Sequence, residues 1–350
     1  MRVAFLDDFD DLRRRMPAPD ASAFPCGPEW LVRLHSLGMP ADTPLVLALS
    51  EADDGSAMCW PLIRRDADAV SLSNYYSPLW EPMLWQGERL DRVAHATAIG
   101  RALRTMDRRP ATVHLQPLAE GKCADALNLG LRAAGYLASA HFAFGNWFLP
   151  SRDLRFAAYF AARPAALRNT IARARRRLDK AGEWCIRIHC EPSEETNAAI
   201  DAFESIYRNS WKPAESYPGF VREMCRWAAD RRMLRLGVLS RANRPVASQI
   251  WLLDNGTASI FKLAYEPDAA KFSPGSVLTA ALMEHALDVD LANEIDYLSG
   301  DDAYKKDWMT HRRVRHGLVA FEPRSTRGLL AAARHFGGRA LHRLNQAGPT

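Results

Sequence analysis

The sequence lacks the long apolar runs and the cysteine and histidine spacings that mark several large classes of protein. No apolar stretch approaches the roughly 20 residues that cross a bilayer, and the acids Asp7 and Asp8 come too early for a secretory signal. The 6 cysteines and 10 histidines form neither a C-x-x-C pair nor a zinc pattern. We therefore expect a cytoplasmic protein with reduced, mostly buried thiols and no bound metal.

Two further motifs are missing. The run Gly121-Lys122-Cys123 lacks the upstream glycine and the Ser/Thr of a P-loop, and no G-x-S-x-G nucleophile elbow occurs. The net charge of +5 and the pI near 8.9 are compatible with anionic ligands. They are too modest to predict nucleic acid as a partner.

Length and composition predict a two-domain globular protein. The 350 residues, 48% of them hydrophobic and 25% charged, exceed the roughly 250–300 at which a single core stops growing. Residues 1–150 alternate strand-like and helix-like segments, and Pro150 is followed by a polar stretch that we take as the boundary. We expect a second domain over 151–325 and a basic amphipathic tail over 326–350.

The second half also predicts a mixed α/β order. Pro164 and Gly182 delimit a helix, and Asn255-Gly256 fits a tight type I′ turn between strands 245–253 and 257–265. Further strands are predicted at 185–190 and 233–240, with helices at 194–210 and 217–230. The fold class is therefore α/β.

One face of the helix at 164–181 is strongly basic. Its cations are Arg168, Arg173, Arg175, Arg176, Arg177 and Lys180. Such a face could meet phosphates, an acidic glycan or an anionic membrane surface. It could equally be a solvated helix face, which is what most charge runs are.

The run from Lys271 to Val277 predicts a helix start that suits a phosphate group. Ser273 suits the N-cap and Pro274 the first helical position. Gly275 would let a ligand approach free backbone N–H groups at the positive end of the helix dipole.

A dense polar corner follows a short apolar strand within 294–308. Gly300 breaks the strand, and Asp301 or Asp302 could cap a helix that starts near Ala303. That start would place Tyr304 and Lys305 beside the strand end. A phenol, an ammonium and carboxylates so close together can transfer protons or hold an anionic group. The alternative is a capped helix with a solvated charged face.

A third set of residues mixes aromatic faces with hydrogen-bonding ends, as sugar-binding pockets do. Its members are Trp211, Lys212, Tyr217, Gln249, Lys262 and Tyr265. For Trp211 and Tyr265 a place in the core is an equal alternative, because aromatic side chains dominate cores. For Gln249 and Lys262 we favour a functional role, since a polar group in mid-strand is costly unless it has a partner.

Five of these segments, in this order, resemble the CelD/BcsL type within the GNAT acetyltransferase superfamily. The segments are Leu167-Arg168-Asn169-Thr170, Ser210-Trp211-Lys212, Phe261-Lys262-Leu263-Ala264-Tyr265, Phe272-Ser273-Pro274-Gly275-Ser276-Val277-Leu278 and Asp301-Asp302-Ala303-Tyr304-Lys305-Lys306-Asp307-Trp308. The group is related to the Fem peptidyltransferases and is linked to bacterial cellulose and exopolysaccharide production. The resemblance covers about 150–320 well and implies two tandem GNAT-like domains, each a mixed central sheet flanked by helices, the first one degenerate.

The resemblance implies a function as well as a fold. It implies an acetyl-CoA-dependent N- or O-acetyltransferase in which the acceptor attacks the thioester directly. Tyr304 would be the general acid, Asp302 the base or the group that orients the acceptor, and Lys305 a stabiliser of anionic charge. Backbone N–H groups of 257–265 would hold the acyl carbonyl and the pantetheine. The pyrophosphate would lie on Ser273, Gly275, Ser276 and Val277, with Lys271 supplying charge where the usual Gln/Arg-x-x-Gly-x-Gly/Ala run retains only its last glycine.

Two other functions remain open from the sequence. One is a Fem-like transfer from aminoacyl-tRNA, with the basic helix as the RNA contact. The other is a non-catalytic ligand-binding or scaffold protein of a polysaccharide synthase, docked at the inner membrane or a partner by the tail. The apolar residues of that tail are Leu329, Leu330, Phe336, Leu341 and Leu344. The acceptor could be a sugar amine, a sugar hydroxyl, or a peptide or lipid amine.

Overall fold

The computed structural model describes residues 1–86 and 89–346, with side chains to 338. The strands are β1 (Arg2–Leu6), β2 (Leu45–Glu51), β3 (Ala57–Arg65), β4 (Asp68–Ser71), β5 (Met83–Trp85), β6 (Thr112–Ala119), β7 (Leu137–Pro150), β8 (Trp184–His189), β9 (Leu234–Arg241), β10 (Arg244–Asp254), β11 (Thr257–Tyr265), β12 (Glu294–Asp296) and β13 (His311–Phe321). The helices are α1 (Phe9–Arg15), α2 (Pro28–Leu37), α3 (Arg92–Thr105), α4 (Lys122–Ala133), α5 (Phe156–Ala161), α6 (Ala165–Ala181), α7 (Glu194–Asn209), α8 (Pro218–Asp230), α9 (Pro274–Glu284), α10 (Lys305–Trp308) and α11 (Thr326–Gln346).

The chain divides into two compact units, of which the first comprises residues 1–144 and 314–350. Its strands run in the order β1-β2-β3-β4-β6-β13, with β5 on β3, and only β4 and β6 are parallel among these pairs. Strands β2 and β3 are apolar and buried along most of their length. Their side chains form one core with α3 and α4, centred on Trp60, Leu115 and Leu131.

The second unit comprises residues 145–313. Its strands run in the order β7-β12-β11-β10-β9-β8, and only β11 and β12 are parallel. Helix α9 packs on β9 at Gly237, where an added Cβ would lie 2.9 Å from the side chain of Leu282. The next residue, Val238, faces α7, so helices cover both faces of this sheet. The predicted α/β class, with a mixed sheet flanked by helices in each half, is confirmed.

Local signals in the second half placed its elements correctly. Helix α6 begins after Pro164 and ends at Gly182, whose φ is +70°, and it buries Ile171, Ala174 and Leu178 at helical spacing. Strands β10 and β11 form the predicted hairpin, because Asn255 and Gly256 both take the positive φ of a type I′ turn.

The compact units differ from the ranges predicted at the sequence level. Residues 314–325 belong with the first unit because β13 pairs with β6 from Arg315 to Phe321. The first unit also ends at Phe144, within β7, rather than at Pro150. Within the predicted tail, α11 begins at Thr326, and the predictions for Leu341 and Leu344 concern residues outside the described side chains. None of the helices in the described part of the chain is both long and apolar enough to cross a membrane.

Candidate active site

The turn after β12 is fixed by a buried polar network. Beyond Asp296 the chain passes through Leu298 and Gly300, which have φ of +54° and +100°. The Asn146 amide donates to the Leu298 carbonyl at 2.8 Å, and the Leu298 N–H donates to the Asp296 carboxylate at 2.7 Å. Arg313 donates to Asp296 at 2.5 Å and also to Asn146. Because these buried polar groups satisfy one another, they specify a single path for the turn.

Sequence reasoning missed this network as part of the site. The available signal was the presence of Asn146 and Asp296 in strands that are otherwise apolar, where an unpaired polar group is costly. Arg313 could not have been assigned, because its partner Glu294, at 2.7 Å, is distant in sequence.

Lys305 holds the same turn through main-chain oxygens. Its side chain is only 5% exposed, and its ammonium donates to the carbonyls of Ser299 at 2.6 Å, Gly300 at 3.3 Å and Tyr297 at 3.4 Å. Its Nζ also lies 3.4 Å from the Asp302 carboxylate. Burial lowers the pKa of Lys305, against the opposing pull of Asp302. With its N–H groups directed at these oxygens, Lys305 positions the turn.

The two aspartates of the corner have different surroundings. Asp301 accepts from Arg312 at 2.6 Å and from the Trp147 indole at 2.7 Å, and the bonds from Arg312 lower its pKa. Asp302 is 61% exposed, with Lys305 beside it. The prediction that either aspartate side chain caps the helix is wrong, because α10 is a single turn that begins at Lys305 without a side-chain cap.

Tyr304 presents a half-exposed phenol just before α10. Its ring is 47% exposed and packs edge-on against the buried ring of Tyr297, with 5.7 Å between the centroids. Burial, reinforced by the Asp302 carboxylate, raises the pKa of Tyr304 to about 12. No residue within the described ranges hydrogen-bonds the Tyr304 hydroxyl. The phenol therefore keeps its proton at neutral pH and is available to a ligand.

Lys262 is engaged in a buried ion pair on the α7 face of the sheet. Its ammonium lies 2.5 Å from Glu215 and 5.0 Å from the centroid of the Tyr207 ring. Burial lowers the pKa of Lys262, and Glu215 opposes that shift. Glu215 and Tyr207 were not predicted as site residues, since neither falls in a recognisable motif.

The other predicted acceptor residues are not all brought together. Gln249 lies on the α9 face, opposite to Lys262, and its amide bonds Gly275 O at 3.0 Å and Thr279 at 2.7 Å. Trp211 packs on Tyr265 with 4.4 Å between ring centroids, and Trp211 is 56% exposed. Tyr217 occupies the N-cap position of α8.

An apolar pocket of about 390 Å³ adjoins the Lys262–Glu215 pair. It lies between α7, α8 and the segment that joins them, and its lining residues are Phe203, Glu204, Tyr207, Arg208, Ala214, Glu215, Pro218 and Val221. Aromatic and aliphatic walls with a few charged groups are typical of small-molecule sites.

The start of α9 offers fewer free donors than its sequence suggested. Ser273 occupies the predicted N-cap position, with φ +47°, and Pro274 begins the helix as predicted, but the Ser273 side chain makes no capping bond. The amide of Ser273 donates to Ala270 O, and those of Ser276 and Val277 donate to Ser273 O. Among the described residues, only the Gly275 amide of this turn is left without a partner.

Cationic side chains surround the same turn. Arg177 of α6 donates to the Lys271 carbonyl at 2.9 Å. The Arg241 guanidinium lies 5.0 Å and the Lys271 ammonium 5.3 Å from the ring of Phe272. The Arg241 Nε is buried and finds no hydrogen-bond partner among the described residues. These cations supply positive charge that the single free amide does not.

Strands β11 and β12 separate beside this turn. They share only three register pairs, the last being Ser259 with Asp296. Strand β11 continues to Tyr265, and within the described strands residues 260–265 are paired only with β10. An extended ligand could therefore lie along this edge and bond to its main chain.

Residues 165–306 match the family model described as Acetyltransferase (GNAT) domain. The matched segment lies within the second unit and contains β8 to β12 and Tyr304. This part of the chain, about two fifths of its length, is therefore similar to a GNAT acetyltransferase domain. No curated protein matches the sequence.

Three solved structures resemble the chain over most of its length. FemX is 9% identical and aligns over 91% of this chain and 97% of its own, with a TM-score of 0.57. The C-terminal DUF2156 domain of an Agrobacterium fabrum protein described as a lysylphosphatidylglycerol synthetase is 11% identical, with coverages of 87% and 90% and a TM-score of 0.53. L-PGS from Bacillus licheniformis is 13% identical, with coverages of 91% and 99% and a TM-score of 0.51. Identities this low show a shared fold and nothing finer.

Proposed function

We propose that the second unit transfers an acetyl group from acetyl-CoA to an amine or hydroxyl of an acceptor. The observation that carries this proposal is the Tyr304 phenol, which is half exposed, hydrogen-bonds no residue within the described ranges and is protonated at neutral pH. A protonated phenol can donate to a departing thiolate. Lys305 and the Asn146–Asp296–Arg313 network hold the turn that carries it.

We place the donor along the edge of β11, with its phosphates at the start of α9. The unpaired edge of 260–265 can bond the amides of a pantetheine chain. The Gly275 amide, with Arg177, Arg241 and Lys271 nearby, suits the phosphates of the carrier. The predicted cradle of Ser273, Ser276 and Val277 amides is replaced in this proposal by one amide and several cations.

The reaction needs one bond made, one broken and two proton transfers. The acceptor nitrogen or oxygen attacks the thioester carbonyl, and the carbon–sulfur bond breaks as the acyl group passes to the acceptor. Asp302 takes the proton that the acceptor loses, and Tyr304 gives its proton to the sulfur. A proton from Asp302 returns to Tyr304 through solvent before the next turnover. Lys305 positions both groups instead of contacting the oxyanion.

The acceptor is proposed to be a small molecule or glycan that enters beside Trp211 and Lys262. The exposed Trp211–Tyr265 ring pair and the 390 Å³ pocket next to Glu215 support a ring-bearing acceptor. Exopolysaccharide or cell-envelope metabolism, with contact to the inner membrane or a polysaccharide synthase, is the setting that the CelD/BcsL resemblance suggests. That setting remains a prediction.

The test is the Tyr304→Phe variant in an assay of thiol release from acetyl-CoA. Turnover should fall by about 10²–10⁴-fold, whereas stabilisation against heat by acetyl-CoA should be retained. Tyr75→Phe, which alters an exposed tyrosine of the first unit, serves as the control and should change neither. Unchanged turnover in Tyr304→Phe would show that the phenol is not the acid. A ligand at 100 times its Kd adds about 2.7 kcal/mol to the free energy of unfolding. If acetyl-CoA does not stabilise the wild type, acetyl-CoA is therefore not the donor.

The basic face of α6 favours a second candidate, transfer from an aminoacyl-tRNA. Arg168, Arg173 and Arg176 donate to backbone carbonyls, and no carboxylate within the described ranges pairs with them. Uncompensated charges of this kind suit a phosphodiester backbone. Loss of transfer activity after ribonuclease treatment of a cell extract would support this candidate. Activity with acetyl-CoA alone would show that no aminoacyl-tRNA is required.

A further inference from the structure

Lys212, Lys262 and Lys305 form one electrostatic cluster with Glu215 and Asp302, and two of the three ammonium groups are neutralised or fully bonded within the unit. Lys262 is paired with Glu215 at 2.5 Å. Lys305 is bonded to three carbonyls and lies 3.4 Å from Asp302. The third, Lys212, makes neither a hydrogen bond nor an ion pair through its ammonium with any residue that the structure describes. The cluster therefore holds one positive charge that the protein leaves uncompensated.

The Lys212 side chain is half-buried, and its ammonium has no hydrogen-bond or ion-pair partner within the described ranges. Its Nζ lies 5.8 Å from the centroid of the Trp211 ring, and its backbone N–H donates to Ser210 Oγ at 3.3 Å. Burial and the Lys262 ammonium lower the pKa of Lys212, while Asp302 opposes the shift. Burying a charge without a counter-charge is unfavourable. A ligand that brings an anion to this position would remove that penalty.

We propose that the acceptor carries a carboxylate or phosphate and that Lys212 binds this group. The ring of the acceptor would lie against the exposed Trp211–Tyr265 pair, next to the ammonium. Lys212 thereby selects anionic over neutral acceptors. This inference rests on the proposed transfer function and narrows its acceptor class.

The experiment compares two matched pairs of amines, glucosamine with glucosamine 6-phosphate and glycinamide with glycine. Binding is measured by calorimetry, and thiol release from acetyl-CoA gives kcat/KM for each amine. The wild type should favour the anionic member of at least one pair by about 10-fold or more, the range of a charge-assisted hydrogen bond. The sugar pair tests a phosphate and the amino acid pair a carboxylate.

Three variants assign that preference to Lys212. Lys212→Gln should abolish it by lowering kcat/KM for the anionic amine towards that for the neutral one, and Lys212→Arg should retain most of it. Lys306→Gln, an exposed lysine of α10, is the matched control and should keep the full preference. Melting temperatures near that of the wild type show that the variants fold.

The outcomes separate this inference from the proposed function. A wild type that shows no anionic preference in either pair overturns the inference, as does a preference that survives in Lys212→Gln. If acetyl-CoA is consumed under those conditions, the transfer function stands without it. If the Lys212-dependent preference appears in calorimetry but no thiol is released, anion binding is supported and acyl transfer is rejected.

Discussion

Replacing Lys305 with methionine separates a positioning role from a catalytic one. The change keeps the length of the side chain and removes the ammonium that donates to Ser299 O at 2.6 Å and Gly300 O at 3.3 Å. Hydrogen bonds to charged groups contribute about 1.5–3 kcal/mol each, and relief of a buried charge offsets part of the loss. Asp302 is 61% exposed, so water hydrates its carboxylate once the ammonium is removed. We expect a net loss of about 2 kcal/mol, roughly one strong bond.

For a unit of this size the loss corresponds to a fall of about 4–8 °C in the melting temperature. Amide hydrogen exchange over 297–302 should also accelerate, because the turn loses its internal anchor. Lys306→Met, which removes the neighbouring exposed ammonium, should change neither quantity. The opposite outcome is a Lys305→Met variant with the melting temperature and amide exchange rates of the wild type but a turnover lower by about 100-fold or more. Lys305 would then act on the reactants, and its positioning role would be refuted.

Three further predictions concern packing and pH. Asn146→Ala leaves the buried Asp296 carboxylate, the half-buried Arg313 guanidinium and the Leu298 carbonyl each short of a bond and should cost about 2–4 kcal/mol in denaturant unfolding. Gly237→Ala should cost about 1–3 kcal/mol because the new Cβ would press on α9, whereas Gly219→Ala, with no atom within 4 Å of its Cβ, should not. Burial of Glu322 favours its protonated form, but the bonds from Arg104 and from the Arg324 N–H, with the charges of Arg104 and Arg109, together outweigh it and lower the pKa. This stabilisation is present above the unfolded pKa of about 4.3 and is lost as pH falls through the folded pKa, so the stability gap to Glu322→Gln should close in acid.

Local chemistry made much of the fold predictable. Pro164 and Gly182 mark the two ends of α6 through their backbone conformations alone. Asn255-Gly256 dictates a turn type, and the turn fixes the register of β10 and β11. The return of β13 to the first unit was not predictable. Its partner β6 lies about two hundred residues earlier in the chain, and no feature of the β13 sequence identifies that partner.

The candidate site was predictable in position but less so in the roles of its residues. The polar corner located Tyr304, whose phenol remains without a partner in the described ranges. It also suggested an aspartate cap, which fails because Asp301 bonds Arg312 across the turn. The engagement of Lys305 with carbonyl oxygens and of Gln249 with Gly275 O depends on tertiary contacts that no spacing reveals.

Lys305 donates to the main-chain carbonyl oxygens of residues 299 and 300. Every amino acid at those positions carries the same carbonyl acceptor. Position 299 is consequently free to change in evolution while Tyr304 stays where it is, whereas the φ of +100° favours glycine at position 300. Proteins that share this anchoring can diverge there beyond the reach of motif comparison, and a lysine a few residues after a short strand would be the feature to look for.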